Sequence, residues 1–238
     1  MTTALLYLRD STLRSFEAIV VDSDEGGVEL DKTALYVTGG GQPHDIGVLR
    51  WDGGEARVVD VRKRDASAWH TLDGAVPPAG TAVTGEIDWE RRYALMRTHT
   101  ALHVLCGVIW NTWGKAVTGG DMQPLTARMD FEFDPLPEGF AAEVEARVNA
   151  ELAADRPVEV SFLPRGEAIG DADLIRTKVN LIPEAVSEIR VVDIVGLDKQ
   201  ADGGTHVTRT NQVGRVRVVK TESKGKGNKR IRIEVLDR

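Results

Sequence analysis

The chain has 238 residues, 42% of them hydrophobic and 28% charged, so it is long enough to bury one large core or two modest ones. No run of about 18 apolar residues occurs, and the N-terminus lacks the basic leader and cleavage site of a signal peptide, so we expect neither a membrane span nor secretion. A single cysteine, Cys106, excludes an internal disulfide and favours a reducing, cytoplasmic setting.

The net charge of −7 is unevenly distributed along the chain. The segment from Gly214 to the C-terminus carries +6, which leaves −13 for the rest. A basic patch of this kind suits binding to a phosphate backbone. The alternative is a solvated, strand-rich tail with lysines in its turn, and charge alone does not decide between the two.

The first ninety residues are predicted to be mostly β. Short β-branched runs at 17–21, 57–61 and 81–87 are separated by turns rich in glycine and aspartate. Such spacing favours a small barrel or sandwich. The character of the sequence changes after Asp88, so we predict a β domain over 1–90 and a second domain over 91–238.

The second domain is predicted to mix helices and antiparallel strands. A long helix is expected over 89–113, ended by Gly114, and an amphipathic helix contains Phe140, Val144, Val148 and Leu152 at i,i+4 spacing. Strands are expected over 126–133, 157–162 and 189–195, a short helix over 167–176, and a hairpin from 212–220 and 230–236. The predicted fold class is therefore α+β, with an N-terminal small β-barrel domain and a second domain whose antiparallel sheet packs on a long helix.

Two segments contain histidines at a spacing that indicates a metal site. His99 and His103 lie at i and i+4 of the long helix, so both imidazoles can point at one centre. Asp202 and His206 lie four residues apart in a glycine-rich turn that lets the backbone fold tightly. Three imidazoles and a carboxylate are donors that zinc takes, although each histidine could instead be an ordinary surface or core residue. Cys106 is flanked by apolar residues, and we interpret it as core packing rather than as a ligand.

These residues resemble the editing domain shared by alanyl- and threonyl-tRNA synthetases. The resemblance rests on Arg97-x-His99-Thr100-Ala101-x-His103 and on Gly203-Gly204-Thr205-His206-Val207. A glycine-rich stretch, Gly39-Gly40-Gly41-Gln42-Pro43, and a basic stretch, Lys224-Gly225-Lys226-Gly227-Asn228-Lys229-Arg230-Ile231, agree with the alanyl branch. Because 238 residues leave no room for an aminoacylation domain, the chain is similar to the free-standing AlaX-type trans-editing proteins of medium length.

The resemblance implies a function, a cofactor and a set of site residues. It implies hydrolysis of the ester that links serine or glycine to alanine tRNA, with Zn²⁺ as cofactor and with no membrane or obligate protein partner. The implied metal ligands are His99, His103, Asp202 and His206. Thr118 is the candidate that reads the serine hydroxyl, or else a simple turn residue; the further substrate candidates are Thr205, Gln42, Gly40 and Gly41. The candidate phosphate contacts are Arg97, Lys224, Lys226, Lys229 and Arg230.

One departure from the family pattern concerns Asp202, where the family usually has a cysteine ligand. Asp202 either binds the metal directly or through water, or binds none and leaves three histidines with an open position, or marks a lost metal site. Two other functions therefore stay open: a zinc hydrolase of a small ester or amide, for which the basic tail is incidental, and a non-catalytic tRNA-binding protein. The sequence does not identify the general base.

Overall fold

The structure is a computed structural model that describes residues 2–170, 174, 187–225 and 227–237. The chain divides into two compact units, Met1–Ala94 and Leu95–Arg238. Among the described residues, no helix is both long and apolar enough to cross a bilayer.

The first unit is a closed barrel of six antiparallel strands. The strands of the unit are β1 Ala4–Leu5, β2 Ser15–Asp24, β3 Gly27–Leu30, β4 Lys32–Thr33, β5 Gly47–Trp51, β6 Gly54–Arg64, β7 Ser67–Gly74 and β8 Ala82–Ile87. Around the barrel the order is β2-β3-β7-β6-β5-β8, and β1 pairs in parallel with β4 beside it. Because side chains alternate across a strand, Phe16, Ala18 and Val20 of β2 all point inward and are buried.

The second unit contains two antiparallel sheets. Its strands are β9 Val117–Gln123, β10 Thr126–Glu132, β11 Val158–Pro164, β12 Glu188–Ile194, β13 Asp198–Ala201, β14 Arg215–Ser223 and β15 Asn228–Leu236. One sheet has the order β14-β15-β10-β9 and the other the order β11-β12-β13. All of their pairings are antiparallel.

The described helices are α1 Trp89–Trp113, α2 Phe140–Ala153 and α3 Arg165–Gly170. Asp88 caps α1, since its Oδ1 accepts the Arg91 N–H at 3.0 Å. The apolar stripe predicted for α2 is its buried face. Asn149 on α2 exchanges two hydrogen bonds with the Val216 backbone, 2.7 and 2.8 Å long, and so fixes this helix on β14.

The predicted fold class is confirmed: a barrel precedes a unit of helices and antiparallel strands. Two strands were missed, because β9 reads VTGGDMQ and β13 reads DKQA, neither with a run of apolar residues. The sequence also indicated one sheet where the structure has two. The short helix predicted over 167–176 overlaps α3 at its start, and its second half lies mostly outside the described residues.

Candidate metal centre

Helix α1 brings two histidines to one point. His99 and His103 are one turn apart on the same face, and both are buried, with 5% and 7% of their surface exposed. Their ring centroids lie 5.2 Å apart. The helical spacing read from the sequence therefore produces a pair of neighbouring imidazoles.

The loop after β13 brings the other two side chains to the same place. The Gly204 N–H donates to Asp202 Oδ2 at 2.6 Å, and this local hydrogen bond closes a tight turn in the loop. The Val207 N–H donates to Thr100 Oγ1 at 3.3 Å and attaches the loop to α1. His206 consequently lies with its ring centroid 4.4 Å from that of His99 and 4.8 Å from that of His103.

Four possible ligand atoms converge here, one each from His99, His103, Asp202 and His206, and all lie within 4.8 Å of one another. His206 Nε2 is 3.0 Å and His99 Nε2 3.6 Å from the Asp202 carboxylate. In a tetrahedral zinc site with bonds of about 2.0 Å, neighbouring ligand atoms are about 3.3 Å apart. The donor set therefore fits Zn²⁺, with the ligand atoms somewhat farther apart than in a bound site, and Asp202 lies where it could serve as a fourth donor.

Buried partners orient two of the imidazoles. His103 Nδ1 lies 3.0 Å from Asp198 Oδ2, and His206 Nδ1 lies 3.1 Å from Thr100 Oγ1. Each contact occupies Nδ1 and leaves Nε2 as the nitrogen available to a metal, which is the usual arrangement around ligating histidines. Neither Asp198 nor Thr100 was predicted from the sequence to orient a histidine. Thr100 lay within the quoted motif, whereas only the fold brings Asp198 to His103.

The electrostatics favour an ionised Asp202 beside two neutral imidazoles, those of His99 and His206. Burial lowers the pKa of His99 to about 4, and burial together with the charge of His99 lowers that of His206 well below its ordinary value. Burial acts in the same direction on His103, but the hydrogen bond to Asp198 and the negative charges of Asp198 and Asp202 together outweigh it, and the pKa of His103 is raised. Burial by itself would raise the pKa of Asp202, yet the surrounding imidazoles hold it well below its usual range.

Arg190 adds a buried cation that the sequence analysis missed. Its Nη1 donates to the Asp202 backbone oxygen at 2.9 Å and lies 3.7 Å from Asp202 Oδ2. Only 7% of this residue is exposed. Arg190 anchors the loop through the Asp202 backbone oxygen and adds a positive charge that opposes cation binding.

The candidates for substrate recognition lie in different surroundings. Thr205, next to His206, is fully buried. Thr118 is exposed on β9, and its Oγ1 donates to Asn228 Oδ1 at 3.2 Å, so it lies in a strand rather than in the turn that was the alternative. Gly40 and Gly41, with φ of +57° and +84°, form the tight turn between Gly39 and Gln42 in the first unit. The substrate contacts proposed for all five residues stay predictions.

The candidate phosphate contacts differ in what they already bind. Arg97 donates to the Val213 and Leu236 backbone and to Asp237, at 2.8 to 2.9 Å. Arg230 makes two 2.7 Å hydrogen bonds to Asp130. Lys224 is exposed, Lys229 Nζ donates to the Ser223 hydroxyl at 3.2 Å, and Lys226 lies outside the described residues. The two arginines therefore already hold the fold together, which sets them apart from the lysines.

Comparison with known families gives two matches in succession. Residues 4–91 match the model described as tRNA synthetases class II (A). Residues 189–232 match the threonyl and alanyl tRNA synthetase second additional domain. The second match includes Asp202 and His206, whereas His99 and His103 lie outside both.

Curated relatives extend the similarity over nearly the whole chain. The alanyl-tRNA editing protein AlaX-M of Methanosarcina acetivorans is 37% identical over 244 residues, covering 99% of this chain and all of the relative. That of Saccharolobus solfataricus is 36% identical, covering 96% and 97%. The alanine–tRNA ligase of Pyrobaculum arsenaticum is 40% identical over 92% of this chain, which spans only 25% of the length of that ligase.

Proposed function

This chain belongs to the family of AlaX-M alanyl-tRNA editing proteins, and we propose that it hydrolyses the ester joining a wrong amino acid to the terminal ribose of alanine tRNA. The observation that carries the proposal is the convergence of three buried histidines, His99, His103 and His206, with the partly buried Asp202. Serine and glycine are the proposed amino acids, and Zn²⁺ is the proposed cofactor. Similarity to proteins named alanyl-tRNA editing protein AlaX-M, over 97–100% of their length, supports the proposal.

The four side chains have a defined task in this proposal. The imidazoles of His99, His103 and His206 would hold the ion through nitrogen, and Asp202 would hold it through a carboxylate oxygen. A bound zinc ion supplies Lewis-acid chemistry that makes an ester carbonyl easier to attack. Asp198 and Thr100 keep two of the imidazoles turned toward the centre.

Selectivity for serine would come from hydrogen bonds that alanine cannot make. A pocket built for alanine rejects serine or glycine by only about 1–3 kcal/mol, so a second site is needed. A site that binds the serine hydroxyl leaves polar groups unpaired when alanine enters. Thr118 is our first candidate for this contact, because it is exposed and its oxygen can still accept a hydrogen bond; Thr205 and Gln42 follow.

The proposal is tested by deacylation of seryl-, glycyl- and alanyl-tRNA for alanine, with and without a chelator, and with His103→Ala. We expect rapid loss of serine, slower loss in the variant by about 10²–10³-fold, and inhibition by the chelator, because metal-ion catalysis contributes several kcal/mol. His44→Ala is the control, since it removes an imidazole that lies in the barrel unit and pairs with Asp60. A zinc-loaded protein that leaves all three substrates intact would contradict the proposal.

A further inference from the structure

The face of α1 that carries His103 continues into a contact with β13. At i+4 from His103 is Gly107, and at i+8 is Asn111, whose Nδ2 donates to the Leu197 backbone oxygen at 3.1 Å. A Cβ on Gly107 would lie 3.0 Å from both Asp198 Cβ and Leu197 O, closer than ordinary contacts. Glycine therefore allows the start of β13 to lie directly against the helix, one turn beyond the metal ligand.

This close approach places a fully buried carboxylate behind His103. The side chain of Asp198 has no exposed surface, and its Oδ2 is 3.0 Å from His103 Nδ1. The same oxygen accepts a hydrogen bond from Gln200 Nε2 at 2.7 Å, and Gln200 Nε2 also reaches Cys106 Sγ at 3.3 Å. Asp198 and Gln200 alternate with the more exposed Lys199 along β13, so both face the helix.

We propose that Asp198 is the positioning residue of the metal centre: it accepts the Nδ1–H of His103, which fixes the imidazole with Nε2 toward the other three ligands, and Gln200 holds the carboxylate in place. This inference rests on the proposed metal site and adds a residue that touches neither metal nor substrate. A buried carboxylate that accepts this hydrogen bond also makes the imidazole more basic and therefore a stronger metal ligand. Loss of a hydrogen-bonding partner of this kind lowers metal affinity by about 10–100-fold.

The test measures zinc affinity by competition with a chelator in Asp198→Asn and Asp198→Leu. Asn keeps the shape and an acceptor but not the charge, whereas Leu removes both. We expect affinity to fall about tenfold for Asn and about 100-fold for Leu. Lys199→Ala is the matched control on the same strand and should bind zinc as the unchanged protein does. Affinities within twofold of the unchanged protein in both Asp198 variants would overturn the inference.

A second measurement does not depend on metal binding or on hydrolysis. In metal-free protein, the Nδ1–H proton of His103 should give a nuclear magnetic resonance signal shifted downfield and protected from exchange by its hydrogen bond to a carboxylate. We expect the signal to weaken in Asp198→Asn and to vanish in Asp198→Leu; persistence of the signal in Asp198→Leu would contradict the inference. If only the proposed editing function is wrong, deacylation will be absent while the zinc affinities and the His103 signal still change as expected in the Asp198 variants. If the role of Asp198 is wrong, those changes will be absent whether or not the protein deacylates tRNA.

Discussion

The barrel unit and the second unit each contain buried histidines, but the ring nitrogens of these histidines have different partners. His70 in β7 is fully buried, with Nδ1 3.3 Å from the Val28 backbone oxygen and Nε2 2.9 Å from Thr33 Oγ1. The Leu35 N–H donates to the same Thr33 oxygen at 3.1 Å, so the Thr33 hydroxyl proton is available to Nε2. In the second unit, His103 and His206 bind their local partners through Nδ1, while His206 Nε2 faces the Asp202 carboxylate.

The difference shows what separates a structural histidine from a candidate ligand. Burial lowers the pKa of both His70 and His99 to about 4, so a lowered pKa does not distinguish them. Both ring nitrogens of His70 bind groups of the barrel, Val28 O and Thr33 Oγ1. In the cluster, by contrast, the Nε2 atoms of His99 and His206 lie near the Asp202 carboxylate. What decides is whether a ring nitrogen is directed at other donors, which is the orientation that hydrogen-bonding partners behind ligating histidines impose.

The largest expected effect is the loss of metal on removal of a cluster imidazole. His206→Ala takes one of four donors away and should reduce bound zinc to well under half an equivalent, with deacylation reduced about 10²–10³-fold. His70→Ala should retain its zinc and instead lose about 2–4 kcal/mol of stability, through a cavity and two lost hydrogen bonds. Metal analysis and thermal unfolding of both variants test this difference. Loss of zinc from His70→Ala would contradict the purely structural role of His70.

The next effect is a dependence of barrel stability on pH. The neutral form of His70 is favoured in the fold, with a pKa of about 4 against an ordinary 6.5. Its contribution is therefore complete above pH 6.5 and is lost as the pH falls toward 4, because the unfolded chain then binds a proton that the barrel does not. The loss amounts to about 3 kcal/mol.

Urea unfolding of the unchanged protein and of His70→Gln measures this contribution. The glutamine variant cannot titrate at this position, so the stability difference between the two proteins should shrink as the pH falls from 6.5 toward 4. A difference that stays constant with pH would show that His70 is not held neutral by the barrel.

A smaller effect is expected when the fourth donor is changed rather than removed. Asp202→Cys introduces the softer ligand that the family usually has, and zinc affinity should rise on the order of tenfold, with manganese binding weakened. Asp202→Ala should lower zinc affinity and loosen the loop, because the Gly204 N–H loses its acceptor and Arg190 loses the nearby carboxylate while keeping its hydrogen bond to the backbone oxygen of residue 202. Competition titrations with both metals check this, and an unchanged zinc affinity in Asp202→Ala would remove Asp202 from the ligand set.

The smallest effect extends the comparison to the basic residues. Lys224→Ala and Lys229→Ala should weaken tRNA binding a few-fold, and each should reduce the dependence of log affinity on log salt by about 0.7–0.9. Arg230→Ala and Arg97→Ala should mainly destabilise the fold, because these residues bind Asp130 and the end of β15. Binding titrations over a range of salt, beside thermal unfolding, separate the two groups; equal salt effects in both would refute the distinction.

The sequence by itself determined the two long helices and the pairing of His99 with His103 on one helical face. Helix α1 begins and ends where its apolar periodicity predicted, and α2 buries the stripe read from Phe140 to Leu152. The i,i+4 spacing of His99 and His103 follows from helix geometry alone. These are local properties, set within a few turns of chain, so pattern is sufficient to find them.

Only the tertiary structure decided which groups surround those ligands. Asp198 meets His103 across 95 positions of sequence, and Thr100 meets His206 across 106. Arg97 and Arg230, which sequence reasoning assigned to phosphate, are held by Asp237 and Asp130. A hydrogen-bond partner of this kind leaves no periodic trace in the sequence, because it is chosen by the packing of β13 and β15 against distant elements. The same side chain can therefore be a ligand, a positioning group or a structural clamp, according to what the fold places beside it.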